Sequence, residues 1–225
     1  MYFCRGTILL KYFTLIIFLQ TCNARKSKHY CPPSACGHIH NISYPFSLNT
    51  DPEYCRFPGY ELGCEGNQTV MWLFSKKLHV QGIDYDDNFI HLVDPTLQTQ
   101  DDLCSFRPQL TFYQYFRNSY IYGLYSTIIA LPILRFNCPF ALNNSTFVEI
   151  SCCKLNGYTY LRIGDMRVSA ISDGCRVELI GLTSRPNYII YTENNISLSD
   201  FHQAILYGFE LYYHPLSSQP SKDNL

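Results

Sequence analysis

The sequence predicts a mainly β protein: disulfide-rich extracellular β-sheet modules with one short C-terminal helix. Three observations carry that expectation. Short runs rich in β-branched and aromatic residues recur along the chain, each bounded by Gly, Asn, Asp or Pro, which is the pattern of short strands. Of eleven cysteines, nine lie beyond residue 24 (Cys31, Cys36, Cys55, Cys64, Cys104, Cys138, Cys152, Cys153 and Cys175), a disulfide framework for a chain exported to an oxidising compartment. Helical spacing of apolar residues is clear only near the C-terminus.

The elements follow in order. Residues 1–24 carry Arg5, Lys11, an apolar run YFTLIIFL and then Cys22-Asn23-Ala24. This is the form of a secretory signal peptide cleaved after Ala24, and its apolar run is far short of the roughly 20 residues a spanning helix needs. The stretch CPPSACGHIHNISYPF at 31–46 is stiff by composition. Pro32, Pro33 and Pro45 fix backbone angles, Gly37 permits a turn, and Cys31 and Cys36 cross-link, so an N-terminal stapled edge is expected. It would serve either as a rigid binding edge or as a purely structural staple of the first sheet.

Strands are expected at TVMWLF (69–74), LHVQGI (78–83), FIHLV (89–93), LPILRFNC (131–138), YTYLRI (158–163) and CRVELI (175–180). The polar DYDDN at 84–88 separates two of them as a hairpin loop longer than the two-residue minimum. Ser197 with Asp200 is an S-x-x-[DE] helix start, and Phe201, Ala204, Ile205 and Phe209 then recur at helical spacing, placing the helix there.

Composition excludes some functions. The formal charge is −1, slightly more acidic once Arg5 and Lys11 are removed with the leader, which argues against nucleic acid as a partner. The chain lacks a G-x-S-x-G elbow, an H-E-x-x-H helix and a phosphate-cradling glycine loop, so no enzyme signature is found, and nothing in the sequence selects a carboxylate pair for glycoside cleavage. Zinc spacing is missing too, despite His38 and His40 beside Cys36, because there is no C-x-x-C pair. For Asp84, Asp86 and Asp87, a calcium loop of EF-hand type would need Gly and Glu where Phe89 and Pro95 stand, leaving a solvated turn. No cofactor is expected. Because nine is odd, one cysteine is free, paired to another chain or waiting for a partner beyond this chain. Cys152 and Cys153, being adjacent, are not expected to pair with each other.

Asparagines in the N-x-[ST] pattern are Asn41, Asn67, Asn143, Asn144 and Asn195, candidate glycan sites that mark surface loops. The aromatic stretch FYQYFRNSYIYGLY (112–125) includes Tyr113 and Tyr115. Flat apolar rings with a polar tip suit a carbohydrate surface, although aromatics in a β-rich protein also pack as core.

The order C-x-x-x-x-C-G-x-I-x-N-I-S-Y-P-F, DPEYC, GYELGC, HVQGIDY and LVDP resembles the galacturonan-binding domain of plant wall-associated receptor kinases. With RIGDM (162–166), DGCRVELIGLTS (173–184) and LYGFELYY (206–213), it looks most like the ectodomain of leaf-rust-resistance receptor-like kinases. The resemblance implies a galacturonan-binding-like domain at 31–105, a second cysteine-containing module at 106–213 and a tail at 214–225. Family members continue into further cysteines, a membrane helix and a kinase. Here HPLSSQPSKDNL closes the chain, which implies an ectodomain without anchor or kinase.

Family membership implies binding of cell-wall pectin or galacturonan, with membrane receptor kinases as a second class of partner, outside the cell, in the wall or at the outer face of the plasma membrane. Carboxylates of such a ligand call for local cations. The candidates are Lys76 and Lys77 before a strand, Arg107 and Arg117 flanking the aromatic stretch, and Arg25, Lys26 and Lys28. Since neighbours on a strand point to opposite faces, at least one of Lys76 and Lys77 should be exposed. The alternatives are a soluble receptor ectodomain that binds a peptide or another receptor, or a piece of a membrane receptor kinase or RING-type ubiquitin ligase.

Overall fold

The structure is a computed structural model. It describes residues 30–73, 75–98, 125–128, 130–143, 147–150, 157–164, 171, 173–184 and 196–214.

Three sheets are described. A hairpin pairs β1 (Ser34–Cys36) with β2 (Ile39–Ile42). A seven-stranded sheet follows β3 (Ser47–Leu48), β4 (Glu61–Glu65), β5 (Gln68–Leu73), β6 (Lys76–Asp84) and β7 (Phe89–Val93), then β13 (Phe209–Tyr213) and β8 (Tyr125–Ile128), in that spatial order. Only β3 and β4 are parallel; the rest is an antiparallel meander closed by a strand from far along the chain. A four-stranded antiparallel sheet orders β10 (Val148–Glu149), β11 (Tyr158–Ile163), β9 (Leu131–Cys138) and β12 (Arg176–Thr183).

Period-two alternation decides which face of the large sheet is buried. Leu62, Met71, Leu73, Leu78, Val80, Ile90, Leu92, Phe209 and Leu211 form its core face with Cys36, Ile39, Ile42 and Phe46 from the N-terminal segment. The NISYPF motif contributes aromatics. Phe46 meets Tyr60, Tyr85 and Tyr213 edge-on at 5.5, 6.5 and 4.9 Å between centroids, the offset geometry that ring quadrupoles favour. The Tyr44-Pro45 bond is cis. Burial pushes the Tyr60 phenol up to about 12.

The glycine of the Cys-Gly pair has a steric reason. Gly37 has φ +59°, and a Cβ there would lie 2.2 Å from the Asn67 carbonyl oxygen, so the hairpin turn presses backbone against the β4–β5 turn. The same contact carries a disulfide, Cys36–Cys64, with Cα atoms 5.7 Å apart, and the buried Thr69 hydroxyl donates to the Cys36 carbonyl at 2.9 Å. Cys36 is therefore not bonded to Cys31. Five residues is too short a lever to fasten an edge, whereas Cys64 ties the hairpin to a separate strand. Cys31 and Cys55 are also disulfide-bonded, and Cys138 joins Cys175; Cys104, Cys152 and Cys153 lie outside the described residues.

One face of the smaller sheet (Ile133, Leu161, Ile163, Ile180) packs on α1 (Pro95–Gln98) and α2 (Leu198–Tyr207) through Leu97, Phe201, Ala204 and Ile205. Arg135, 3% exposed, pairs across the strands with Glu178, so the buried guanidinium is compensated. The expected start of α2 is a capping box: Asp200 N–H donates to Ser197 Oγ at 3.2 Å and Ser197 N–H to Asp200 Oδ2 at 2.9 Å. Its end is earlier than periodicity indicates. Gly208 turns the chain at φ +77°, where a Cβ would meet Leu92 oxygen at 2.2 Å, and Phe209 opens β13 instead of extending the helix. No helix among the described residues is long and apolar enough to cross a membrane.

Candidate functional site

The opposite face of the seven-stranded sheet carries the other members of the alternation, polar, charged and aromatic residues with the buried Val70 among them. Its residues include Gly63 and Glu65 on β4, Gln68, Val70 and Trp72 on β5, and Lys77 and His79 on β6, set by the pairs Gly63 with Val70, Glu65 with Gln68, Val70 with His79 and Trp72 with Lys77. Trp72, the chain's single tryptophan, is 48% exposed. Its indole lies over Gly63, where a Cβ would sit 2.7 Å from Cζ3 and 3.0 Å from Cη2. Glycine on β4 thus lets a large ring lie close to the sheet.

Charge is arranged around that ring. Lys77 Nζ is 2.9 Å from Glu65 Oε2, both side chains nearly half exposed. His79 titrates below its ordinary value because burial penalises the imidazolium; Lys77 adds to this, while Asp94 and Glu65 oppose it. The Gln68 amide is held by the Thr69 and Val80 carbonyls at 3.2 and 3.3 Å. A flat apolar ring, an exposed ammonium and polar groups at its rim can hold a sugar ring that bears a carboxylate.

Farther along the same face the aromatics engage each other. His91 lies against Tyr207 at 4.5 Å, with its Nε2 2.6 Å from the Tyr207 carbonyl oxygen. Tyr207 donates to Glu210 at 2.9 Å, and Phe89 packs on Tyr212 at 5.8 Å. These rings are occupied in packing.

The expected site residues separate. Both lysines lie within β6 and not before it. Lys77 is exposed beside Trp72, whereas Lys76, opposite Leu73, is partly buried and points to the other face. Arg25, Lys26, Lys28, Arg107, Tyr113, Tyr115 and Arg117 lie outside the described residues. Asn41, Asn67 and Asn143 are exposed; Asn144 and Asn195 lie outside the described residues. Asp84 accepts the Asp86 and Asp87 amides at 2.9 and 2.8 Å and so caps its own turn. Trp72 and Glu65 are absent from the sequence-based candidates. Alternation in TVMWLF holds the signal for the first, since a strand that buries Met71 and Leu73 must turn Trp72 outward.

With the disulfide-stapled sheet and its exposed Trp72–Lys77 face in view, comparison with known proteins is decisive for one segment. Residues 31–94 match the wall-associated receptor kinase galacturonan-binding family. Gly63, Glu65, Trp72, Lys77 and His79 all fall inside the family segment, and Tyr207, Glu210 and Tyr212 fall outside it. The chain is also similar to the leaf rust 10 disease-resistance locus receptor-like protein kinase-like 2.1 of Arabidopsis thaliana, 29% identical over 84 residues, which are 37% of this chain and 13% of that relative. No solved structure matches.

Proposed function

We propose that the chain binds de-esterified galacturonan of cell-wall pectin through the face built by Trp72 and Lys77, without catalysing a reaction. The observation that carries this is an exposed tryptophan set directly across the strands from an exposed lysine, inside the segment that matches a galacturonan-binding family. A uronate ring offers apolar C–H groups to the indole and a carboxylate to the ammonium. The reading places the chain outside the cell, with its leader removed after Ala24.

The test is calorimetric titration of the secreted protein with oligogalacturonides and with their methyl esters. Covering roughly 60 Å² of indole face at ~25 cal/mol per Å² contributes about 1.5 kcal/mol, so Trp72→Ala should weaken binding about tenfold. Lys77→Ala should weaken it about two- to fivefold at low salt, as for an exposed charge pair, with little left at high salt, where the Debye length shrinks well below 8 Å. Equal affinity for the methyl ester, or full affinity in both variants, would turn the assignment toward a peptide or receptor partner.

A further inference from the structure

We infer that Glu65 is an internal competitor with the ligand's carboxylate for Lys77 and thereby sets how tightly the site holds a charged ligand, an inference that rests on the galacturonan reading above. Glu65 holds Lys77 at 2.9 Å. The two residues come from β4 and β6 and reach across the intervening β5, Glu65 in register with Gln68 and Lys77 with Trp72. Between Gln68 and Trp72 on that face stands Val70, only 1% exposed. The ion pair therefore straps over an apolar patch beside the indole.

Both ends of the strap are solvated, at 45% and 46% side-chain exposure, and an open pair of this kind is held weakly. A ligand carboxylate can take the place of Glu65 on Lys77. A methyl ester or a neutral sugar brings no charge to do so, and meets a lysine still engaged with Glu65. Once displaced, the Glu65 carboxylate remains near the incoming one and repels it. Both effects make Glu65 lower the affinity for every carboxylated ligand while leaving that for an ester or a neutral sugar unchanged, so Glu65 moderates the site's preference for charge.

The variant Glu65→Gln keeps the side chain's shape and removes the competing charge. Calorimetry with an oligogalacturonide on the full chain, for the parent, Glu65→Gln, Lys77→Gln and the double variant, tests this at low and high salt. Glu65→Gln is expected to bind about three to ten times more tightly at low salt, with the gain shrinking at high salt. In the Lys77→Gln background most of that gain should disappear, because there is no ammonium left to release. A parent that binds while Glu65→Gln binds equally or more weakly, with an unchanged thermal transition, overturns the competitor role alone. Absence of binding in parent and Glu65→Gln alike overturns the galacturonan reading, and the inference with it.

Discussion

Replacing Gly63 by alanine tests whether the β4 backbone holds the indole of Trp72 in place. Gly63 has no positive φ, so alanine is compatible with its backbone, and in a strand interior removing glycine would ordinarily stabilise by roughly 0.5–1 kcal/mol. The surroundings reverse that sign. The new methyl would stand 2.7 Å from Trp72 Cζ3, 2.9 Å from Val70 Cγ2 and 3.0 Å from Trp72 Cη2, against a carbon–carbon optimum of about 3.5–4.0 Å. Val70 is 1% exposed and has little room; Trp72 is 48% exposed and can lift. The indole must retreat by about 1 Å, at an overpacking cost of about 1–3 kcal/mol, which leaves the variant destabilised by roughly 1–2 kcal/mol in urea unfolding. Because the chain has one tryptophan, its emission reports this site alone and should shift to the red with stronger iodide quenching, and oligogalacturonide affinity should fall with it. A Gly63→Ala protein that is more stable than the parent, with unchanged emission, would refute the argument.

Two further outcomes are expected. Replacing Cys36 and Cys64 together by alanine opens a loop spanning 28 residues of sequence separation, which in the chain-entropy relation is worth about 3.6 kcal/mol; a loss below about 1 kcal/mol in denaturant unfolding would contradict it. His79 titrates below its ordinary value of 6.5 when folded, chiefly through burial and secondarily through Lys77. The unfolded chain therefore takes up this proton first, and stability is full above about pH 6.5 and falls as pH drops from there toward the folded value. His79→Gln should flatten that part of the decline between pH 7.5 and 5, and identical slopes for parent and variant would exclude the contribution.

Much of the fold was legible where local pattern and tertiary packing agree. The runs expected at 89–93, 131–138 and 158–163 coincide with β7, β9 and β11, those at 69–74, 78–83 and 175–180 overlap β5, β6 and β12, and the Ser197–Asp200 signal marks the first turn of α2. Legibility fails where pairing overrides composition. ELGCE of β4 has little β propensity and is a strand because it lies between β3 and β5. Phe209 fits the helical spacing but is diverted by Gly208, whose close approach to Leu92 is a long-range contact that periodicity does not register. The site was half legible for a related reason: alternation shows that one of two lysines must face out, yet the register that sets Lys77 against Trp72, and the reach of Glu65 across β5, exist only once the strands are paired.

The position of β13 bears on how the protein is made. It is hydrogen-bonded between β7 and β8, although about 120 residues separate the end of β7 from the end of β13. During synthesis at about 5–20 residues per second, the FIHLV edge of β7 waits on the order of ten seconds for its neighbour, presenting unpaired amides and carbonyls. The rings of Phe46 and Tyr60 wait longer still for Tyr213. Closure of so long a loop belongs to the slow, high-contact-order class of folding events, so the nascent chain should depend on chaperones for that interval, and a fragment released before residue 209 should fold poorly even though it contains the entire family segment.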